Sequence, residues 1–279
     1  MLTKPAQSVD IDFMEGTLTK APARPAAPNS GGASATSGSA ALRLIKFALA
    51  LALLPLCYGM TRGVGDVFQS AWTHYRAAQH DLSYWFAAGT GVFALLAAVL
   101  WRPVVVYVFG HELVHALATW LCLGSVSNFK ASTSGGSITS SKSNTLIRLA
   151  PYCVPLYALL AAGIYLGLNV WWRPLHGQLH WAMAALGFFY AFHVGFTVWS
   201  MHRDQPDLKP DGWCFSLVVI YLANLTVFAL LMGFVFTGNA GYAWPALHSA
   251  ALRGWQHSTE TYQHLATSAH SVYARYAHR

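Results

Sequence analysis

The sequence predicts an all-α polytopic membrane protein, with about six transmembrane helices and a short membrane-associated β-hairpin or loop. Three observations predict it. Apolar runs near the ~20 residues that cross a bilayer recur along most of the chain. Only 10% of the 279 residues are charged, against about 25% in a soluble domain. Aromatics are dense, with 11 Trp, 13 Tyr and 15 Phe. The net charge of +7 comes from scattered Lys and Arg and not from a basic block. That pattern fits solvated membrane flanks, so the expected partner is the lipid bilayer and no nucleic acid.

Residues 1–40 are rich in Pro, Ala, Gly and Ser, as in APARPAAPNSGGASATSGSA. They carry too few large apolar groups to offset the entropy of ordering, so a disordered N-terminal tail is expected. No apolar stretch follows the start as it would in a signal peptide. The transmembrane domain is expected over 41–237. Its spans run from Ala41 to Met60, Ser83 to Leu100, Pro103 to Leu123, Thr145 to Trp172, Leu179 to Ser200 and Trp213 to Phe236. Arg43 and Lys46 are expected to snorkel at the first span's start. The linker from Thr61 to Asp81 is polar enough to lie outside the membrane. Trp101-Arg102-Pro103 separates spans two and three, and Pro151 and Pro155 can kink span four. From Gly238 to Arg279 the chain reads as a polar, His-rich tail, amphipathic at best. The four cysteines lie in or beside apolar runs without CxxC spacing and read as buried hydrophobes. Lys and Arg near the span ends divide six against seven between the two sides, which decides no orientation. An integral protein of the plasma (inner) membrane of a bacterium is expected.

One stretch conflicts with its surroundings. Gly110-His111-Glu112-Leu113-Val114-His115 sits inside the run VVVYVFGHELVHALATWLCLG. Helical positions i and i+4 share a face. His111 and His115 can therefore direct two imidazole nitrogens at one Zn2+ ion. Glu112 is angled away from ligation but close enough to take a proton from water at the metal. This is the HExxH arrangement of zinc peptidases. With 13 His and 3 Glu in the chain, composition alone would produce it roughly 0.006 times. Among the ten acids, Glu112 is the only one inside a span as drawn, and an intramembrane carboxylate is a functional hypothesis by default. The competing reading is a hydrogen-bonded polar cluster without metal. Haem fits poorly, because two ligands on one helix face cannot cap opposite sides of an iron.

The segment from Gly110 to about Gly212 resembles the site-2 protease class of intramembrane zinc metallopeptidases (M50-like). That resemblance implies HExxH within a transmembrane helix, then a Gly-rich β-hairpin, a small-residue and proline motif, and a third metal ligand from a later helix. After the motif comes GSVSNFKASTSGGSITSSKSN, where β-compatible runs flank Ser134-Gly135-Gly136, a hairpin turn signal. A plain Ser/Gly loop is the alternative. Ile147-Arg148-Leu149-Ala150-Pro151-Tyr152 stands where the class often has Ala-Gly-Pro. The class's Leu-Asp-Gly aspartate has no counterpart here. Gln205-Pro206-Asp207-Leu208-Lys209-Pro210-Asp211-Gly212 resembles its Asp-Gly stretch loosely.

Three third ligands are open. Counting residues from the starts of spans three and five puts His193 within about 3 Å of the depth of His111 and His115. His193 therefore ranks first, Asp207 second and Asp211 third. The expected function is a zinc metalloendopeptidase that cleaves a transmembrane or membrane-adjacent segment of a membrane-protein substrate. Zn2+ would be held by His111, His115 and one further residue, with Glu112 as catalytic base. Gly135 and Gly136 would help bind an extended substrate strand, and the hydroxyls of Ser125 to Asn144 would line a path for water. A non-proteolytic zinc sensor or structural protein is one rival. A metal-ion transporter is another, and would favour repeated halves and several intramembrane acids, neither of which the sequence shows.

Overall fold

A computed structural model describes residues 33–74, 77–99, 103–133, 135–171, 178–203, 205–237 and 239–277. Of the tail expected over residues 1–40, residues 1–32 lie outside the described residues, as do the break at Trp101-Arg102 and the turn residue Ser134, while residues 33–40 open the first helix. The rest is an all-α polytopic membrane protein with one small antiparallel sheet. In chain order it runs α1 (Ala33–His74), α2 (Ala77–Val99), α3 (Val104–Leu121), β1 (Val126–Ala131), β2 (Gly136–Ser140), α4 (Thr145–Cys153), α5 (Leu156–Trp171), α6 (Leu179–Met201), α7 (Trp213–Thr237) and α8 (Ala243–Ala277). Five helices are long and apolar enough to cross a bilayer, or six if α4 and α5 are one broken span bent by 66°. The bend falls where sequence places it. Pro155 lacks the N–H that would continue the helix, and Val154 before it is extended at φ −105° and ψ 107°.

Large apolar side chains face outward along these helices, among them Leu44, Ile45, Leu95, Val99, Ile164 and Trp181. Lipid, as apolar as these groups, is the solvent that tolerates them. Inside, aromatic and aliphatic clusters join α6 to α7 through Met183, Leu186, Leu231, Met232, Val235 and Phe236. They join α2, α3 and α6 through Phe93, Tyr107, Val108, Phe192 and Phe196.

Two expectations change. The linker after Met60 is not a separate element, because α1 continues unbroken to His74. Asp66 therefore lies inside a candidate span, Ala40–Thr73, so Glu112 is not the only acid in one. Residues 243–277 are not a loose tail but helix α8, which returns antiparallel along α1. The reason is small-residue packing. Gly59 and Gly63 on α1 meet Ala250, Gly254 and Ser258 on α8, and a Cβ on Gly254 would come within 2.9 Å of the Met60 backbone.

The hairpin reading holds. β1 and β2 pair from Val126↔Ser140 to Ala131↔Gly136, with an irregularity between Ser127 and Lys130 where Asn128 takes φ 52°. β1 is largely exposed. In β2, Gly136, Ile138 and Ser140 are buried in alternation and Ser137 and Thr139 less so, the period of a strand lying on a core.

Candidate metal centre

His111, Glu112 and His115 occupy the buried middle of α3. One helical turn stacks the two imidazoles at a ring separation of 4.8 Å. Each ring is held from behind. His115 Nδ1 donates to the carbonyl of Ile147 at 2.8 Å, and the Tyr107 hydroxyl lies 3.3 Å from His111 Nδ1. With Nδ1 so engaged, both Nε2 atoms point to one place, the orientation that outer partners impose on metal-binding histidines.

The third group at that place is Asp207. Its Oδ2 stands 3.5 Å from His111 Nε2 and 3.4 Å from His115 Nε2. One donor atom from each of the three residues falls within 4.8 Å of the others, and all three residues are buried. Tyr152, fully buried on α4, reaches both Gln205 Oε1 at 3.0 Å and Asp207 Oδ2 at 3.1 Å. Burial alone would raise the Asp207 carboxyl, but the two imidazoles beside it outweigh that and hold it below the usual carboxylate range.

His193, ranked first on depth, is not in this cluster. Its Nε2 lies 3.1 Å from Asn224 Oδ1, and Asn224 Nδ2 in turn donates to the Tyr152 carbonyl. The depth comparison took the starts of the two spans as level. Instead, the start of α3 packs against the last turns of α6. Tyr107, near the start of α3, packs on Phe196 and Trp199. Cys122, at its other end, accepts from Lys142 and Asn144, which adjoin Thr145, a partner of Asp211. The loop after α6 also folds inward, burying Gln205, Asp207, Leu208 and Asp211.

Asp211, ranked third, has another use. Its carboxylate, without solvent exposure, accepts from Thr145 Oγ1 at 2.8 Å and from Arg148 Nε and Nη2 at 3.0 and 2.8 Å, and it pairs with Lys46. Lys46 therefore does not snorkel; it reaches across to clamp the loop that carries Asp207. Burial would raise the Asp211 carboxyl, and its Lys46, Arg148 and Thr145 partners bring it below the ordinary range. Neither Tyr152 nor the Lys46–Arg148 pair is legible in the sequence. Only the tyrosine's position beside Pro151 and the two cations at span ends hinted at either.

The hairpin closes over Glu112. A Cβ on Gly136 would sit 2.6 Å from Glu112 Cγ, 2.8 Å from Glu112 Oε1 and 2.6 Å from Val108 Cγ1. Of the two glycines singled out, Gly135 has positive φ, at 148°. At Gly136 it is close approach, not backbone conformation, that demands glycine. Thr119 anchors β2 by a 3.0 Å contact with Ser140 and donates to the His115 carbonyl. A cavity of about 20 Å3 beside the cluster is bordered by His111, His193, Tyr157 and Phe192. That is room for about one water.

A cation fits this centre. Glu112 Oε2 and His115 Nε2 are buried and make no hydrogen bond. A buried polar atom left so is costly unless something compensates it. Two imidazoles and a carboxylate form a donor set suited to a divalent transition metal. No protein-family model, curated protein or solved structure matches the chain.

Proposed function

We propose that the chain is a zinc-dependent intramembrane endopeptidase, with His111, His115 and Asp207 as the protein ligands and Glu112 as the catalytic base. The observation that carries this reading is the approach of Asp207 Oδ2 to both Nε2 atoms, with Glu112 beside them on the next helix position. Zinc bound there would supply a Lewis acid that lowers the pKa of water and polarises a peptide carbonyl.

The chain's own groups do the rest. Glu112 takes the proton of the attacking water and delivers it to the leaving amine. Asp207 and the two histidines stay fixed, held by Tyr152, Ile147 and Tyr107. An extended substrate backbone is presented by the hairpin. A two-stranded sheet leaves one edge of each strand unpaired, and Gly136 brings β2 against Glu112. The substrate is a transmembrane or membrane-adjacent segment unwound at the scissile bond.

A structural or sensing metal site is the competing reading, and it calls for a fourth protein ligand. Among the described residues no fourth His, Cys, Asp or Glu joins the three, which favours an open catalytic position. The test uses purified wild type and Glu112→Gln. Both are expected to hold about one zinc, and the variant to lose cleavage of a membrane-protein reporter by roughly 10²–10⁴-fold. Cleavage at the wild-type rate by Glu112→Gln would remove the peptidase reading.

A further inference from the structure

A second site lies at the opposite end of the bundle, where α1, α7 and α8 meet. α1 and α7 run in parallel, as three contacts mark in order: Lys46 over Phe215, Thr61 with Tyr221, and Phe68 against Phe236. α8 returns between them. Two cavities adjoin there. One, of about 330 Å3, is walled by Val67, Phe68, Met232, Phe236 and Ala246. The other, of about 240 Å3, is bordered by Asp66, Gln69, Ser70, Thr73 and Arg253. Ser70 and Arg253 line both, so an apolar compartment opens directly onto a polar one.

Arg253 is the unexplained group. It is half-buried and its Nη1 donates to Ser70 Oγ at 3.1 Å. Among the described residues no ion pair joins it to a carboxylate, and Asp66, on the same polar cavity, is engaged by His257 at 2.7 Å. An arginine at membrane depth calls for an anion. Its depth says which anion. Ser70 and Phe236 stand within one helical turn of the ends of their spans at Thr73 and Thr237. Trp72, Tyr84, Trp85, Trp181, Tyr242 and Trp244 gather at the same end, a belt of the kind that marks the headgroup level.

We propose that this corner binds one glycerophospholipid, its phosphodiester on Arg253 and Ser70 and an acyl chain in the apolar cavity. The phosphodiester stays anionic at any physiological pH and offers the oxygens a guanidinium fork takes. A second protein copy fits less well, because the cation is recessed between α1 and α8 and a thin chain can follow where a helix cannot. The site is independent of the histidine centre.

The test is lipid retention by the full-length chain, read by native mass spectrometry after matched detergent exchange. The probes are phosphatidylglycerol, phosphatidylcholine, diacylglycerol with the same chains, and inorganic phosphate. Wild type is expected to keep one phospholipid of either headgroup at least about tenfold better than diacylglycerol, because the phosphate is the recognised group. Arg253→Gln should lose about tenfold of that retention, Arg253→Lys should keep most of it, and Ala71→Phe should lose it by filling the apolar cavity, which Ala71 also borders. All should keep the wild-type elution volume and thermal midpoint in detergent, which certifies the fold. Equal retention of phospholipid and diacylglycerol overturns the proposal. So does wild-type retention by a folded Arg253→Gln, capture of a second protein copy in place of lipid, or displacement of the lipid by inorganic phosphate alone.

Discussion

A third donor for His111 and His115 must be a residue whose charge can be desolvated beside them. Asp207 meets that condition, because two imidazoles and the Tyr152 hydroxyl surround its Oδ2. His193 is already turned toward Asn224. We therefore expect Asp207→Ala to lose metal by at least about tenfold and His193→Ala to keep it within about twofold, because the His193 imidazole bonds Asn224 and not a member of the His111–His115–Asp207 cluster. Metal content of matched detergent preparations decides this, and loss in His193→Ala alone would restore the depth ranking. His111→Ala and His115→Ala should each lose the ion, and full occupancy in the double variant would sink the assignment. Glycine at 136 belongs to the same scale. Gly136→Val should displace Glu112 or the strand and cut cleavage strongly while metal stays bound, because the new carbons meet Glu112 and not the ligands. Unchanged turnover would mean that β2 plays no part near the base.

At the scale of elements, the loop between α6 and α7 matters most. Tyr152 holds it at Gln205 and Asp207, and farther along Asp211 is clamped by Arg148 and Thr145 of α4 and Lys46 of α1. Asp211→Asn keeps the shape and removes the charge, and should weaken metal affinity about 10–100-fold, as losing an outer partner does. The clamp also sets a pH window. The folded-state carboxyl is depressed, so its contribution is complete above the ordinary aspartate value of about 3.9 and is lost as pH falls through the lower folded value. Melting curves below about pH 4 should therefore fall more steeply for wild type than for Asp211→Asn. Parallel curves would show that the clamp contributes nothing.

Across the whole molecule, α8 is the unexpected partner. A glycine-based seam lets its backbone touch α1, where lipid supplies no hydrophobic drive and close packing must act instead. Gly63→Leu should therefore separate the helices and destabilise the protein by roughly 2 kcal/mol. The thermal midpoint in detergent reads this effect, with metal content at wild-type level because the seam lies away from the histidines. An unchanged midpoint would mean that α8 is held by other contacts.

The helices, the turn-flanked strands and the pair His111–His115 with Glu112 were legible because each depends on short spacing. Runs of apolar residues choose lipid, Pro155 breaks its own helix, and i, i+4 neighbours share a face whatever surrounds them. The third ligand, the Asp211 clamp and the return of α8 were not, since each joins residues distant in sequence. His193 and Asp207 differ little as donors, and only the inward fold of one loop brings the carboxylate, rather than the imidazole, to the two Nε2 atoms. The polar composition of residues 243–277 argued for a tail. A row of small side chains opposite Gly59 and Gly63 made it a packed helix, because backbone approach between helices depends on both surfaces at once.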